Sequence, residues 1–63
     1  MEDYQERVID ERTQLRVKHK QLLRFISTDL FLSLPMNKRI LLTNQYLVMG
    51  EYLNILGSRI SLF

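Results

Sequence analysis

Residues 35–63, PMNKRILLTNQYLVMGEYLNILGSRISLF, decide the fold. Leu42, Tyr46, Met49, Leu53, Leu56, Ile60 and Phe63 recur at alternating intervals of four and three, the seam of a helix packed against other helices. None of the seven is charged. A second row runs beside it through Leu41, Gln45, Val48, Tyr52, Ile55 and Arg59, apolar except for Gln45 and Arg59, so the apolar face is two rows wide. That is more than a single partner helix covers. The third side carries Thr43, Leu47, Gly50, Asn54, Gly57 and Ser61, mostly small residues. Two glycines inside a helix cost roughly 1 kcal/mol each against alanine, so they point to close approach by another backbone or by a ligand. Gly57 followed by Ser58 could also end the helix. The continued period at Ile60 and Phe63 carries the expected helix to about residue 61.

Working outward, the preceding half predicts a helix over about residues 3–26. Tyr4, Val8, Glu11, Leu15, Lys18, Leu22 and Phe25 again alternate four and three, with Glu11 and Lys18 as polar interruptions. If those two face inward they need partners, across a subunit interface or on Arg59 and Gln45, because an unpaired buried charge is expensive. If the seam drifts they reach solvent. Acidic residues crowd the first turns and basic residues the last, which complements the helix dipole. Arg12, Arg16, Lys20 and Arg24 recur every four residues as a basic ridge with His19 close by, either a solvated face or a surface for phosphates or an acidic partner.

Between the halves, Ser27, Thr28 and Asp29 favour a turn and an N-cap. A short helical turn is expected over 29–33, with Phe31 and Leu34 closing the end of the hairpin. Pro35 suits the first helical position of the second long helix. The expected architecture is all-α: one domain over residues 1–63, an antiparallel helical hairpin of two long helices joined by a short helical turn. Sixty-three residues with no cysteine lie near the lower size at which a monomer buries enough core, and neither a disulfide nor a cysteine-ligated metal can compensate. Assembly into a homo-oligomeric bundle is the remaining device.

Function is bounded mostly by exclusion. The chain has one histidine and no cysteine, so neither a thiol–imidazole pair nor a multi-histidine metal cluster is available. There is no glycine-rich phosphate loop. No enzyme activity, metal or cofactor is expected. A formal charge of +2 and the absence of a groove-reading motif make a nucleic-acid-binding module the weakest of the readings. Seven charges among the first fourteen residues leave no apolar run for a signal peptide, and the longest uncharged apolar stretch, residues 40–50, is too short and too polar to span a membrane.

The order E-R-V-I-D-E, then L-x-x-K-x-x-x-L-x-x-F-I-S-T-D-x-F-x-x-L, then L-L-x-x-Q-x-x-x-M-x-x-Y-x-x-I-L-x-x-R-I resembles a group of very small phage-encoded helical proteins related to an uncharacterised crAss-like phage protein. The match runs from about residue 4 to residue 63. It includes Glu11, Lys18, Phe31, Gln45, Tyr52 and Arg59, and it departs at Pro35-Met36-Asn37-Lys38, where the group carries an acidic run. The resemblance implies a viral accessory protein in the cytoplasm of an infected bacterium. Two roles compete. One is counter-defence by a small oligomer that sequesters a nucleotide-derived immune signal. Lys18 and Arg59 would hold phosphate or pyrophosphate, Tyr52 would stack on a base or ribose, and Gln45 would read a base edge. The other is a protein–protein inhibitor docking on a host enzyme or defence effector through Leu30, Phe31, Leu32 and the second apolar row. Gln45, Tyr52 and Arg59 could equally form a polar layer that fixes the register of an oligomer core.

Overall fold

The computed structural model describes residues 2–63. Three helices follow one another, α1 over Asp3–Ile26, α2 over Asp29–Leu32 and α3 over Met36–Ser61, and α1 and α3 pack together as an antiparallel hairpin with α2 at its closed end. The backbone N–H of Glu2 donates to Gln5 Oε1 at 3.0 Å, satisfying a group that the start of α1 leaves without a helical partner. Asp3 and Glu6 lie in its first turn and Arg24 in its last, each at the end where the helix dipole favours its charge.

One threonine ends α1 and begins α2. The Thr28 hydroxyl donates to the Phe25 carbonyl at 2.6 Å and accepts from the Phe31 N–H at 3.3 Å. Phe31 is thereby turned inward to 7% exposure and meets the Phe25 ring edge-on, with centroids 6.1 Å apart. The expected closing role of Phe31 therefore holds, and its expected role as a docking anchor does not. Leu30 and Leu32, on either side of it, are the exposed apolar residues of α2.

Pro35 caps α3 from outside rather than occupying its first turn. Its ψ of 150° is extended, and its carbonyl accepts from the N–H groups of Lys38 and Arg39. The long helix passes through Gly57 without a break and ends at Ser61. Leu42, Tyr46, Met49, Leu53, Leu56 and Ile60 all turn at least partly away from solvent, as their spacing requires, and Leu56 is fully enclosed. Phe63, the last of the row, remains exposed but meets Tyr4 edge-on at 5.9 Å between centroids.

The α1 seam differs from the expectation by one residue at alternate turns. Val8, Arg12, Leu15, His19, Leu22 and Ile26 form the row withdrawn from solvent, with Gln5, Ile9 and Phe25 also partly covered, while Tyr4, Glu11 and Lys18 are exposed. Space on α3 explains the difference. A Cβ on Gly50 would lie 3.4 Å from His19 Nε2, and one on Gly57 would lie 3.8 Å from Arg12 Nε. Arg12 and His19 are seven residues apart, and so are the two glycines that face them. Both facing pairs have residue numbers adding to 69, which fixes the antiparallel register. The glycines serve approach by α1 side chains, so neither is left open to a ligand.

The hairpin is long and thin, 46 × 14 × 13 Å, with a radius of gyration of 14.5 Å. A compact chain of this length would have about 10.6 Å. Among the described residues only Val8, Phe31 and Leu56 are buried apolar side chains. A core that small leaves most of the apolar surface of α3 without cover.

Candidate functional site

The second row of α3 forms the middle of one broad face of the hairpin. Leu41, Val48 and Ile55 are 68%, 62% and 56% exposed, with Tyr52 beside them at 38%. Their position follows from helical geometry: the row lies well around α3 from the side that meets α1, so Leu41, Val48 and Ile55 stay open to solvent.

Tyr52 ties the row to α1. Its hydroxyl donates to Glu11 Oε2 on the opposite helix. That hydrogen bond, supported by partial desolvation and by the Glu11 charge, raises the Tyr52 phenol above its ordinary value of 10.0, while the Arg59 cation works in the opposite direction. Tyr52 and Arg59 are seven residues apart on one helix and sense each other's charge. Glu11 therefore has a partner at the surface, and its carboxylate fixes the ring of Tyr52 against the flank of the hairpin.

Lys18 lies seven residues beyond Glu11 and so shares its flank of α1. The register set by the two glycines places Lys18 level with residue 51, close along the axis to Tyr52. Lys18, Tyr52 and Arg59 thus lie on one face, all exposed to solvent. Gln45 is on the same row of α3 but stands about 10 Å from Tyr52 and about 21 Å from Arg59 along the helix, at 1.5 Å per residue. Its amide contacts Met49 Sδ at 3.9 Å. Gln45 and Arg59 therefore stand about equally far, some 10 Å, on either side of Tyr52, and the four expected ligand residues are strung along one face rather than gathered at one point.

The basic ridge is broken at its first member. Arg16, Lys20 and Arg24 are exposed, whereas Arg12 turns inward over Gly57, because a four-residue repeat drifts around a helix of 3.6 residues per turn. His19 is also inside the hairpin. Its ring stacks on Tyr46 with centroids 4.1 Å apart and planes at 8°, and its Nε2–H donates to the Tyr46 carbonyl at 3.1 Å. Gly50 makes this possible, since a side chain four residues beyond a helical carbonyl would cover it.

A separate hollow of about 410 Å³ opens at the closed end between Phe31, Met36, Arg39, Ile40, Thr43 and Asn44. Arg39 is half-buried there, and its Nε has no hydrogen-bond partner. Sequence reasoning missed Arg39 and His19 as interior groups. The shared interval of seven between Arg12 and His19 and between Gly50 and Gly57 was the available signal for His19; Arg39 carried none.

Among the described residues no three His, Asp, Glu or Cys side chains converge, and no helix is long and apolar enough to cross a membrane. What the arrangement offers chemically is a tethered aromatic ring between two cations, beside an open apolar strip. No curated protein and no solved structure matches the chain. A family model does, over residues 2–62, which takes in both long helices and every residue of the face described above; the chain belongs to the Sequestin family.

Proposed function

We propose that the protein is a non-catalytic phage accessory protein that counters host defence by binding and sequestering a nucleotide-derived immune signal. It would act as a small homo-oligomer in the cytoplasm of the infected bacterium. The family name supports a sequestering role. The observation that carries the reading is the position of Tyr52 and Arg59 on one exposed row, with Lys18 level with Tyr52 and Glu11 holding the tyrosine hydroxyl. An aromatic face between two cations suits a ligand that joins a base or ribose to phosphate groups, since the ring takes the stacking surface and the cations take the anion. The purchase on phosphate is electrostatic and so should weaken with salt.

Native mass spectrometry on protein purified from cells with an active defence system tests this directly. An oligomer carrying an additional few hundred daltons per site supports the reading. Loss of that adduct in Arg59→Ala and Lys18→Ala variants that still assemble assigns it to this face. A clean oligomer, or variants that protect phage as well as the parent, overturns it.

The exposed Leu30, Leu32 and Met36 at the closed end favour a second reading, docking on a host protein. With Phe31 enclosed, paired Leu30→Ser and Leu32→Ser substitutions are the ones that should abolish such docking.

A further inference from the structure

We infer that a second copy of the chain covers the outer row of α3 in antiparallel orientation, about a two-fold axis level with residue 50, and that the ligand site is shared between the two copies. The second clause rests on the nucleotide-binding reading; the first does not.

Three observations bear on a second copy, the area on its presence and the spacing and charge on its orientation. The row Leu41, Gln45, Val48, Tyr52, Ile55, Arg59 has intervals of four, three, four, three and four, which read the same in both directions. Leu41 and Arg59, Gln45 and Ile55, and Val48 and Tyr52 each lie equally far on either side of residue 50. A two-fold axis at that level sets each residue against its counterpart across the interface, as an isologous contact requires.

The second observation is area. A folded monomer of 7.6 kDa is expected to expose 6.3 M^0.73, about 4,300 Å². The hairpin exposes 5019 Å². The excess of about 700 Å² is close to the roughly 800 Å² that each partner buries in a standard interface. Val48, Tyr52 and Ile55 supply its middle, with Leu41 towards each end.

The third observation is charge. Parallel packing would set Arg59 against Arg59 of the second copy at the same level. Antiparallel packing separates the two arginines to opposite ends of the interface and also opposes the helix dipoles.

The arrangement closes the gap left within one chain. Gln45 stands about 21 Å from its own Arg59, but Gln45 of the second copy comes within one helical turn, about 6 Å along the axis, of the first copy's Arg59. Lys38 of the second copy lies still nearer the same level. Each end of the interface then gathers an arginine, a lysine and a carboxamide, with no carboxylate among the row residues. Two equivalent sites for an anionic ligand result, one at each end.

Cross-linking tests the geometry without a ligand, and the absence of native cysteine makes single substitutions clean. Leu41→Cys and Arg59→Cys are separated by 18 residues, about 27 Å along α3. Mixed and oxidised together, the two variants should yield a heterodimeric disulfide, with little product from either alone. Each variant linking only to itself would establish parallel packing and overturn the inference. So would a monomeric parent in native mass spectrometry at tens of micromolar, or a parent dimer from which neither variant gives a disulfide. A cross-linked antiparallel dimer that retains no nucleotide would leave the assembly standing and sink the proposed function. An adduct carried by a monomer would do the reverse.

Discussion

At the scale of single residues, the two glycines of α3 are alike in spacing and unlike in tolerance. A Cβ at Gly57 would meet the Arg12 side chain at ordinary contact distance, 3.8 Å, in a backbone that is helical throughout. Gly57→Ala should therefore gain most of the helix propensity difference, about 0.5–1 kcal/mol, read as a higher urea midpoint. Gly50→Ala should bring no gain, because a Cβ 3.4 Å from His19 Nε2 crowds the stacked ring and its bond to the Tyr46 carbonyl. A Gly57→Ala variant less stable than the parent would show that Arg12 needs the open groove. Tyr52 supplies a prediction in pH. Its phenol is raised in the fold by the Glu11 hydrogen bond, so the contribution is complete below the unfolded value of about 10 and is lost as pH rises beyond it. Stability should fall as pH rises above about 10, and Tyr52→Phe should flatten that fall. An unchanged alkaline decline in the variant would remove Tyr52 as its source.

Among the elements, α2 is the shortest and holds the end of the hairpin through a single ring. Phe31→Ala should cost about 3–5 kcal/mol, most of the stability expected for a chain of this size. Leu30→Ala and Leu32→Ala, exposed on either side, should stay within about 0.5 kcal/mol. Equal effects at the three positions in urea denaturation would contradict the placement of Phe31. These elements were legible in the sequence to different depths. Strict apolar spacing made the α3 seam readable residue by residue. In α1, four-three spacing put Glu11 and Lys18 into the seam as polar interruptions but could not reveal that Arg12 and His19 fill grooves over glycines on another helix. That choice belongs to the paired surface. The same limit applied to the candidate site: the exposure of Tyr52 and Arg59 followed from a face two rows wide, whereas the Tyr52–Glu11 bond depended on the register between helices. Pro35 entered one position earlier than expected because its extended ψ, invisible in composition, delays the first helical residue.

At the scale of the whole molecule, three enclosed apolar side chains among the described residues are a small core for a chain that must fold. Assembly through α3 ties stability to mass action. The thermal midpoint should therefore rise by several degrees between about 1 and 100 μM protein, and Val48→Glu should abolish the rise; a midpoint independent of concentration would show that the hairpin stands alone. The pairs that hold the hairpin also differ in how much chain they enclose. Phe25 and Phe31 are 6 residues apart, His19 and Tyr46 are 27, Arg12 and Gly57 are 45, and Tyr4 and Phe63 are 59. Loop closure grows costlier with length, but each pair that forms shortens the span the next must close. The hairpin should accordingly zip from the phenylalanine pair outward and finish at the termini. Tyr4 and Phe63 would then be the last to meet in folding and the first to part in fraying, a clasp whose opening releases the chain ends while the middle of the hairpin stays shut.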